Sequence, residues 1–448
     1  MILHKNMIND ASYSFHSNRF WKIRVLHRLS IVLLFTTGMS AQTYICGGAA
    51  ARSSVRQVIA KNSVYSLTAA GFDLGTAPEH IDASGCTSSK TFFFSVPLPE
   101  GNYTVSMVLG GAASSVTTVR AEARRLMLAR IWTSAGHYRS ESFTVNIRRP
   151  EIAEGSVVNR KPREMGSLNW DNKLTIEFSG QQPSVRSIRI QPAGPTTPTV
   201  YLAGDSTVVD QDNEPWAAWG QMLPSFFGRG VAISNHAESG ETISSFVGEK
   251  RFDKIFSMLK KGDYLFFQFA HNDQKLGSGY VSPQSYAGLL RKYIAMTHDR
   301  GATPVLVTSM NRRTYDSEGN VKDSLAPYPE TMRSVAASEH VALIDLNAMS
   351  KTLYEAIGEK DSRSLFVYAP ANTYPGQPAA LHDDTHFNDY GAYELARCVV
   401  LGIQQNKIPL SKFLREPAVR FDPGHPDATG AVALPATPFV DIQKPYER

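Results

Sequence analysis

The stretch Thr199-Val-Tyr-Leu-Ala-Gly-Asp205-Ser206-Thr207 decides the fold. It is an apolar run of strand length that stops on Gly-Asp-Ser, which predicts a buried strand followed by a tight turn. The same rhythm continues downstream. Val231-Ala-Ile-Ser-Asn235, Asp263-Tyr-Leu-Phe-Phe-Gln-Phe269, Thr303-Pro-Val-Leu-Val-Thr308 and Val341-Ala-Leu-Ile-Asp345 read as further strands. Helices are expected over 217–227 and 284–299, and from an Asn388 cap to about residue 404. Repeated strand–helix units predict an α/β domain over 199–409, with a parallel sheet covered by helices on both faces. Sites in such sheets form at the carboxyl ends of the strands. Ser206 follows the first strand, Gly240 the second and Asn272 the third.

Upstream the periodicity is different. Residues 42–192 read as an all-β domain, because Thr91–Val96, Tyr103–Leu109, Ser142–Ile147, Lys173–Phe178 and Val185–Ile190 alternate or cluster β-branched and aromatic residues between Gly/Pro/Asn turns. Short strands at that spacing predict a β-sandwich. The run Pro192-Ala-Gly-Pro-Thr-Thr-Pro198 supplies a linker over 193–198, and the Pro-rich stretch 410–448 an extended tail. Tyr103, Trp132 and Trp170 are either a stacking platform for a ligand or core, with core favoured.

Residues 1–41 read as a secretory signal peptide: five Lys/Arg, then Leu29-Ser-Ile-Val-Leu-Leu-Phe35, then small residues. A secreted or periplasmic location follows as an expectation. The apolar run is too short to span a bilayer, and no other stretch is apolar enough to do so. The leader carries most of the net charge of +5 in this 448-residue chain. The remainder is near neutral, with no basic stripe to suggest a nucleic-acid partner. Three cysteines are too few for a disulfide scaffold. Cys46 and Cys86 are free to pair in an oxidising compartment or to stay apart, and Cys398 falls in an apolar helical run.

The chemistry converges on acyl transfer. A serine hydroxyl is a poor nucleophile until a base removes its proton. His386 is the candidate base for Ser206. Asp383, three residues upstream on what reads as a loop entering a helix, is the candidate for the other ring nitrogen, with Asp384 its rival. Ser206 N–H, Gly240 N–H and the Asn272 amide are candidate donors to a tetrahedral oxyanion. No Cys/His cluster has metal-ligand spacing, so neither metal nor other cofactor is expected.

These four blocks resemble those of the SGNH (GDSL-type) hydrolase superfamily. Within it, Gly204-Asp-Ser-Thr-Val208, Gln268-Phe-Ala-His-Asn-Asp273 and Asp384-Thr-His-Phe387 followed by Tyr390-Gly-Ala-Tyr393 are most similar to rhamnogalacturonan acetylesterases. The resemblance covers about 199–405. It implies a three-layer α/β/α, flavodoxin-like fold, and removal of acetyl groups from an acetylated plant polysaccharide or oligosaccharide, probed first as pectic rhamnogalacturonan. The preceding β domain resembles a galactose-binding-like sandwich. Two departures bear on function. Ala270 stands where the family usually has Gly, tolerable unless the position requires positive φ. Glu241 stands where many members have a basic residue after Gly240. Arg312 and Arg313 are either compensating cations for a uronate or solvated loop charges. A lipase, thioesterase or arylesterase of the same superfamily is one alternative, and a non-catalytic carbohydrate-binding protein another; the intact Ser206, Asn272, Asp383 and His386 argue against the latter.

Overall fold

Five short strands, Thr199–Gly204, Ala232–Asn235, Tyr264–Gln268, Thr303–Val307 and Ala342–Ile344, form one parallel sheet in the spatial order second, first, third, fourth, fifth. The computed structural model describes residues 40–47, 56–153, 155–415 and 420–445, all within one compact unit. All but the last two residues of the expected signal peptide, 1–41, lie outside the described residues. Among the described residues, no helix is long and apolar enough to cross a membrane.

Both faces of the sheet are buried, which is why its strands read as continuous apolar runs. Val200 and Leu202 join Phe266, Val305 and Val307 in one core with the helices Trp219–Met222, Leu346–Ile357 and Asp389–Gln405. Tyr201 and Ala203 join Leu265, Phe267 and Leu306 in another, with Ile243–Gly248, Arg251–Met258, Pro283–Asp299 and Tyr328–Glu339. The helix expected over 217–227 is one α turn that tightens into a 3-10 turn at Leu223–Phe226. Pro224, which lacks a backbone N–H, falls inside that turn.

Two large sheets and the small pair Glu151–Ala153/Ser156–Val157 precede this domain. One runs in the order Tyr138–Ile147, Gly101–Gly110, Ser184–Pro192, Gln42–Cys46, Arg56–Ile59; the other Gly71–Asp73, Phe92–Pro97, Lys173–Gln181, Ser115–Ala121, Arg125–Thr133. They share one core that includes Val105, Leu109 and Ile188 from the first and Phe92, Phe94 and Phe178 from the second. Cys46 and Cys86 form a disulfide across a sequence separation of 40, a closure worth about 4 kcal/mol in the chain-entropy picture. Tyr103 and Trp170 are buried, whereas Trp132 is 61% exposed.

The hairpin Ser115–Ala121/Arg125–Thr133 joins the two parts, and Arg124 and Arg125 at its turn are buried against the α/β domain. Arg125, 1% exposed, donates to Asp210 Oδ2 at 2.9 Å, Asn146 O at 2.9 Å and Asn169 Oδ1 at 3.0 Å. Arg124 donates to Trp216 O at 2.8 Å and pairs with Asp389 at 3.3 Å. The C-terminal segment packs over the same junction. Pro435 O accepts from Arg120 at 2.7 Å, Phe439 lies 5.4 Å from Phe93, and Asp441 O accepts from Trp216 Nε1 at 2.8 Å.

Removing one member of a buried ion pair strands the other charge, at a cost of about 3–5 kcal/mol. Arg125→Ala is therefore expected to lower unfolding stability by about that amount, with Asp210 left uncompensated. Urea unfolding of the full chain measures this, and a loss below about 1 kcal/mol would contradict it.

Candidate active site

The turn after Gly204 is as tight as its sequence suggests. A Cβ on Gly204 would lie 2.6 Å from Val208 Cγ2 and 2.8 Å from Gln268 O, so only glycine lets these backbones approach. Asp205 Oδ1 accepts from Thr207 N at 2.9 Å and Thr207 Oγ1 at 2.7 Å, closing the turn that presents Ser206. Asn235, at the end of the second strand, donates to Val208 O at 2.7 Å and to Asp210 Oδ1 at 2.8 Å, which pins the loop behind the serine.

His386 Nε2 lies 2.9 Å from Ser206 Oγ, and His386 Nδ1 lies 2.9 Å from Asp383 Oδ2. Asp383 Oδ1 also accepts from Thr385 N at 2.7 Å and His386 N at 2.9 Å. Burial works to raise the Asp383 pKa, but the hydrogen bonds and charge of His386 outweigh it and hold the carboxyl well below the usual range. The Asp-x-x-His segment is not a loop entering a helix. It lies on the strand Leu381–Phe387, paired antiparallel with Phe366–Ala369, and the helix starts three residues after the imidazole, capped by Asn388 as expected. On that strand Asp384 points away from His386. It accepts from Arg313 Nη1 at 3.1 Å and from Tyr368 OH at 2.5 Å, so the rival role is already taken up elsewhere. The Trp216 ring meets the imidazole edge-on at 5.8 Å.

Two of the expected oxyanion donors, Gly240 and Asn272, are linked through the Gly240–Glu241 loop. Gly240 adopts φ +78°, a left-handed conformation that favours glycine. Asn272 Nδ2 donates to Glu241 O at 3.1 Å while its Oδ1 accepts from Lys275 at 3.0 Å. The amide is thereby oriented, with one of its two N–H bonds committed and the second available. Among the described residues, no acceptor is recorded for the N–H of Ser206 or of Gly240. Next to the triad, His271 and Asp205 are buried 3.5 Å apart, too long for a good hydrogen bond. Burial lowers the His271 pKa and favours the neutral ring.

Two of the expected substrate contacts are engaged elsewhere. Glu241 is fully buried, in an ion pair with Lys161 and accepting from Ser245 Oγ at 2.6 Å, so it faces the β domain rather than a ligand. Arg313 is 9% exposed and ties Asp384 to Glu359 O, at 3.1 Å and 2.5 Å. Arg312 is half-buried and donates to His271 O at 3.1 Å, beside the site. A cavity of about 470 Å³ adjoins the triad, bounded by Arg163 and Leu168 of the β domain, Gln211 and Trp216 of the serine loop, and Phe439 and Lys444 of the C-terminal segment. Lys444 Nζ lies 3.3 Å from Asp383 Oδ2. Sequence reasoning missed Lys161, Arg163 and Lys444. Their local sequences read as solvated charges beside prolines, and nothing in them signals a contact across a domain junction.

Residues 202–393 match the GDSL-like Lipase/Acylhydrolase family. The rhamnogalacturonan acetylesterase RhgT of Bacillus subtilis (strain 168) is 41% identical over 217 residues, 48% of this chain and 93% of that protein. The probable rhamnogalacturonan acetylesterase YesY of the same organism is 33% identical over 217 residues, 48% of this chain and 95% of that protein. The uncharacterized esterase YxiM, also of B. subtilis, is 27% identical over 331 residues, 73% of this chain and 77% of that protein.

Ala270 carries φ +145° at the position where glycine was the expectation. Strain of about 1–3 kcal/mol, set against the extra unfolded-state entropy of glycine, predicts that Ala270→Gly stabilises the chain by about 1 kcal/mol in urea unfolding. A destabilised variant would show that the backbone is at ease there. Asp383 supplies the pH dependence. Its folded pKa lies below the unfolded value, so its contribution is present above about pH 4 and is lost as pH falls toward the folded value. Stability below about pH 4 is expected to fall more steeply in wild type than in Asp383→Asn, as read from unfolding midpoints; parallel slopes would contradict it.

Proposed function

The chain belongs to the GDSL-like lipase and acylhydrolase family of carboxylic-ester hydrolases, and from that premise we propose that it removes O-acetyl groups from plant cell-wall polysaccharide, rhamnogalacturonan first, outside the cytoplasm. The observation that carries this reading is the continuous contact Ser206 Oγ–His386 Nε2 and His386 Nδ1–Asp383 Oδ2, each 2.9 Å. In the proposed cycle His386 takes the serine proton as Oγ attacks the acetyl carbonyl. Asp383 stabilises the imidazolium, and Ser206 N–H, Gly240 N–H and Asn272 Nδ2 receive the oxyanion. Imidazolium then protonates the departing sugar oxygen, which leaves as the free hydroxyl, and water, deprotonated by the same ring, releases acetate from the acyl-enzyme.

The names of the two relatives similar over 217 residues support the glycan and acetyl parts of the reading. Glu241, buried against Lys161, is no obstacle to a uronate-containing chain, and Arg312, half-buried beside His271, is one cation that could meet such a chain. The Cys46–Cys86 disulfide and the basic–apolar leader both favour an oxidising, extracytoplasmic setting. The two helical sets about the sheet are taken as the three-layer form of the family. We take the strand-rich β domain as a galactose-binding-like sandwich, but the burial of Tyr103 and Trp170 removes two of the three aromatics considered for a stacking platform.

Acetate release from acetylated rhamnogalacturonan, acetylated xylan and a small chromogenic acetate tests this, with Ser206→Ala as control. Release from rhamnogalacturonan, lost by a factor of roughly 10³ or more in Ser206→Ala, is expected. Release from xylan alone would move the substrate while leaving the chemistry, and equal rates in Ser206→Ala would remove the serine mechanism.

A further inference from the structure

The peptide between Ser239 and Gly240 carries a carbonyl on one side and a candidate oxyanion donor on the other. Ser239 O accepts from Lys161 Nζ at 2.7 Å and from Arg163 Nη2 at 2.6 Å. Both cations come from the β domain, from the start of the 3-10 turn Pro162–Gly166. A carbonyl oxygen has two lone pairs, and here each receives a charge-assisted bond, the stronger kind. A trans peptide is planar with C=O and N–H pointing opposite ways. Drawing the Ser239 carbonyl toward the β domain therefore turns the Gly240 N–H the other way. Polarising that carbonyl also makes the N–H of the same peptide a better donor.

The clamp is braced on both flanks. Lys161 pairs with Glu241 and Arg163 with Glu238, and Glu238 Oε1 accepts from Ser239 N at 2.8 Å. Behind them Glu164 accepts from Lys161 N at 2.8 Å and is held by buried Arg251 at 2.6 Å. The same loop orients a second donor, because Asn272 Nδ2 is fixed on Glu241 O. Gly240 at φ +78° has the freedom to let this peptide rotate by half a turn, which would aim a carbonyl oxygen where negative charge develops. Nothing else recorded among the described residues holds the Ser239 carbonyl.

We infer that Lys161 and Arg163 are positioning residues for the oxyanion hole, so that the β domain takes part in turnover by fixing the Ser239–Gly240 peptide. This rests on the serine-esterase reading above.

The test uses the full chain and a small chromogenic acetate, which reports the hole without polysaccharide contacts. Lys161→Met, Arg163→Met and the double variant are compared with Lys161→Arg and Arg163→Lys, with active serine counted by titration with a fluorophosphonate. The double variant is expected to lose roughly tenfold or more in kcat per titrated serine, with KM within about twofold, and the charge-keeping variants to recover most of it. Arg163, partly exposed, provides a single variant that keeps the fold if Lys161→Met does not. Wild-type kcat per titrated serine in Arg163→Met and in the double variant overturns the inference. So does a loss confined to the fraction of titratable protein. Ser206→Ala in parallel separates the two levels: an active Ser206→Ala removes the serine mechanism itself, whereas an inactive Ser206→Ala beside an unimpaired double variant removes only the clamp.

Discussion

Arg125 is buried between the two halves of the molecule, and its bond to Asp210 is the constraint on which the rest depends. A guanidinium and a carboxylate at 1% and 0% side-chain exposure are tolerable only together, since either one alone is an uncompensated charge in a dry interior. Asp210 lies in the loop that begins at Ser206, and Asn235 at the end of the second strand holds its other oxygen. The β-hairpin, the serine loop and the parallel sheet therefore share one buried polar network. Arg124 extends it to Trp216 O and Asp389, which begins the helix just beyond His386.

That network explains a site whose parts come from remote segments. Ser206 and His386 are 180 residues apart, yet they meet at 2.9 Å because strand Leu381–Phe387 is laid beside the sheet's carboxyl edge. Asp383 is shaped for its position as much as for charge. It closes on the backbone N–H groups of Thr385 and His386 with one oxygen and on the imidazole with the other. The β domain and the C-terminal segment share the walls of the cavity next to Trp216 and Ser239, so that space is shaped in part by chain outside the α/β domain.

Much of the fold was legible because buried strands and two-faced sheets leave strong local signals. The strands at 199–204, 232–235 and 264–268 are buried on both faces and mostly apolar, and helix Pro283–Asp299 and the Asn388 cap declare themselves by period and cap chemistry. The hairpin 115–133 was not legible. Its turn reads Arg120-Ala-Glu-Ala-Arg-Arg125, a charged stretch whose burial makes sense only once Glu177, Asp389 and Asp210 surround it. The same limit applied to Glu241 and Arg313, which read as charges open to a ligand and are instead consumed by Lys161 and by Asp384. A charge has no local signature of its partner.

The sequence by itself determined the alternation of strands and helices, the positions of Ser206, Gly240, Asn272 and His386 along it, and the glycine required at 204, because these follow from hydrophobic period and from backbone sterics within a few residues. The tertiary structure alone decided which of Asp383 and Asp384 faces the imidazole, that Ala270 is held at positive φ, and that two cations of the β domain grip the carbonyl of Ser239. Strand pleat, backbone strain and ion pairing between distant segments depend on how the chain is brought together, and electrostatic partners chosen across a domain junction are invisible to any window of sequence.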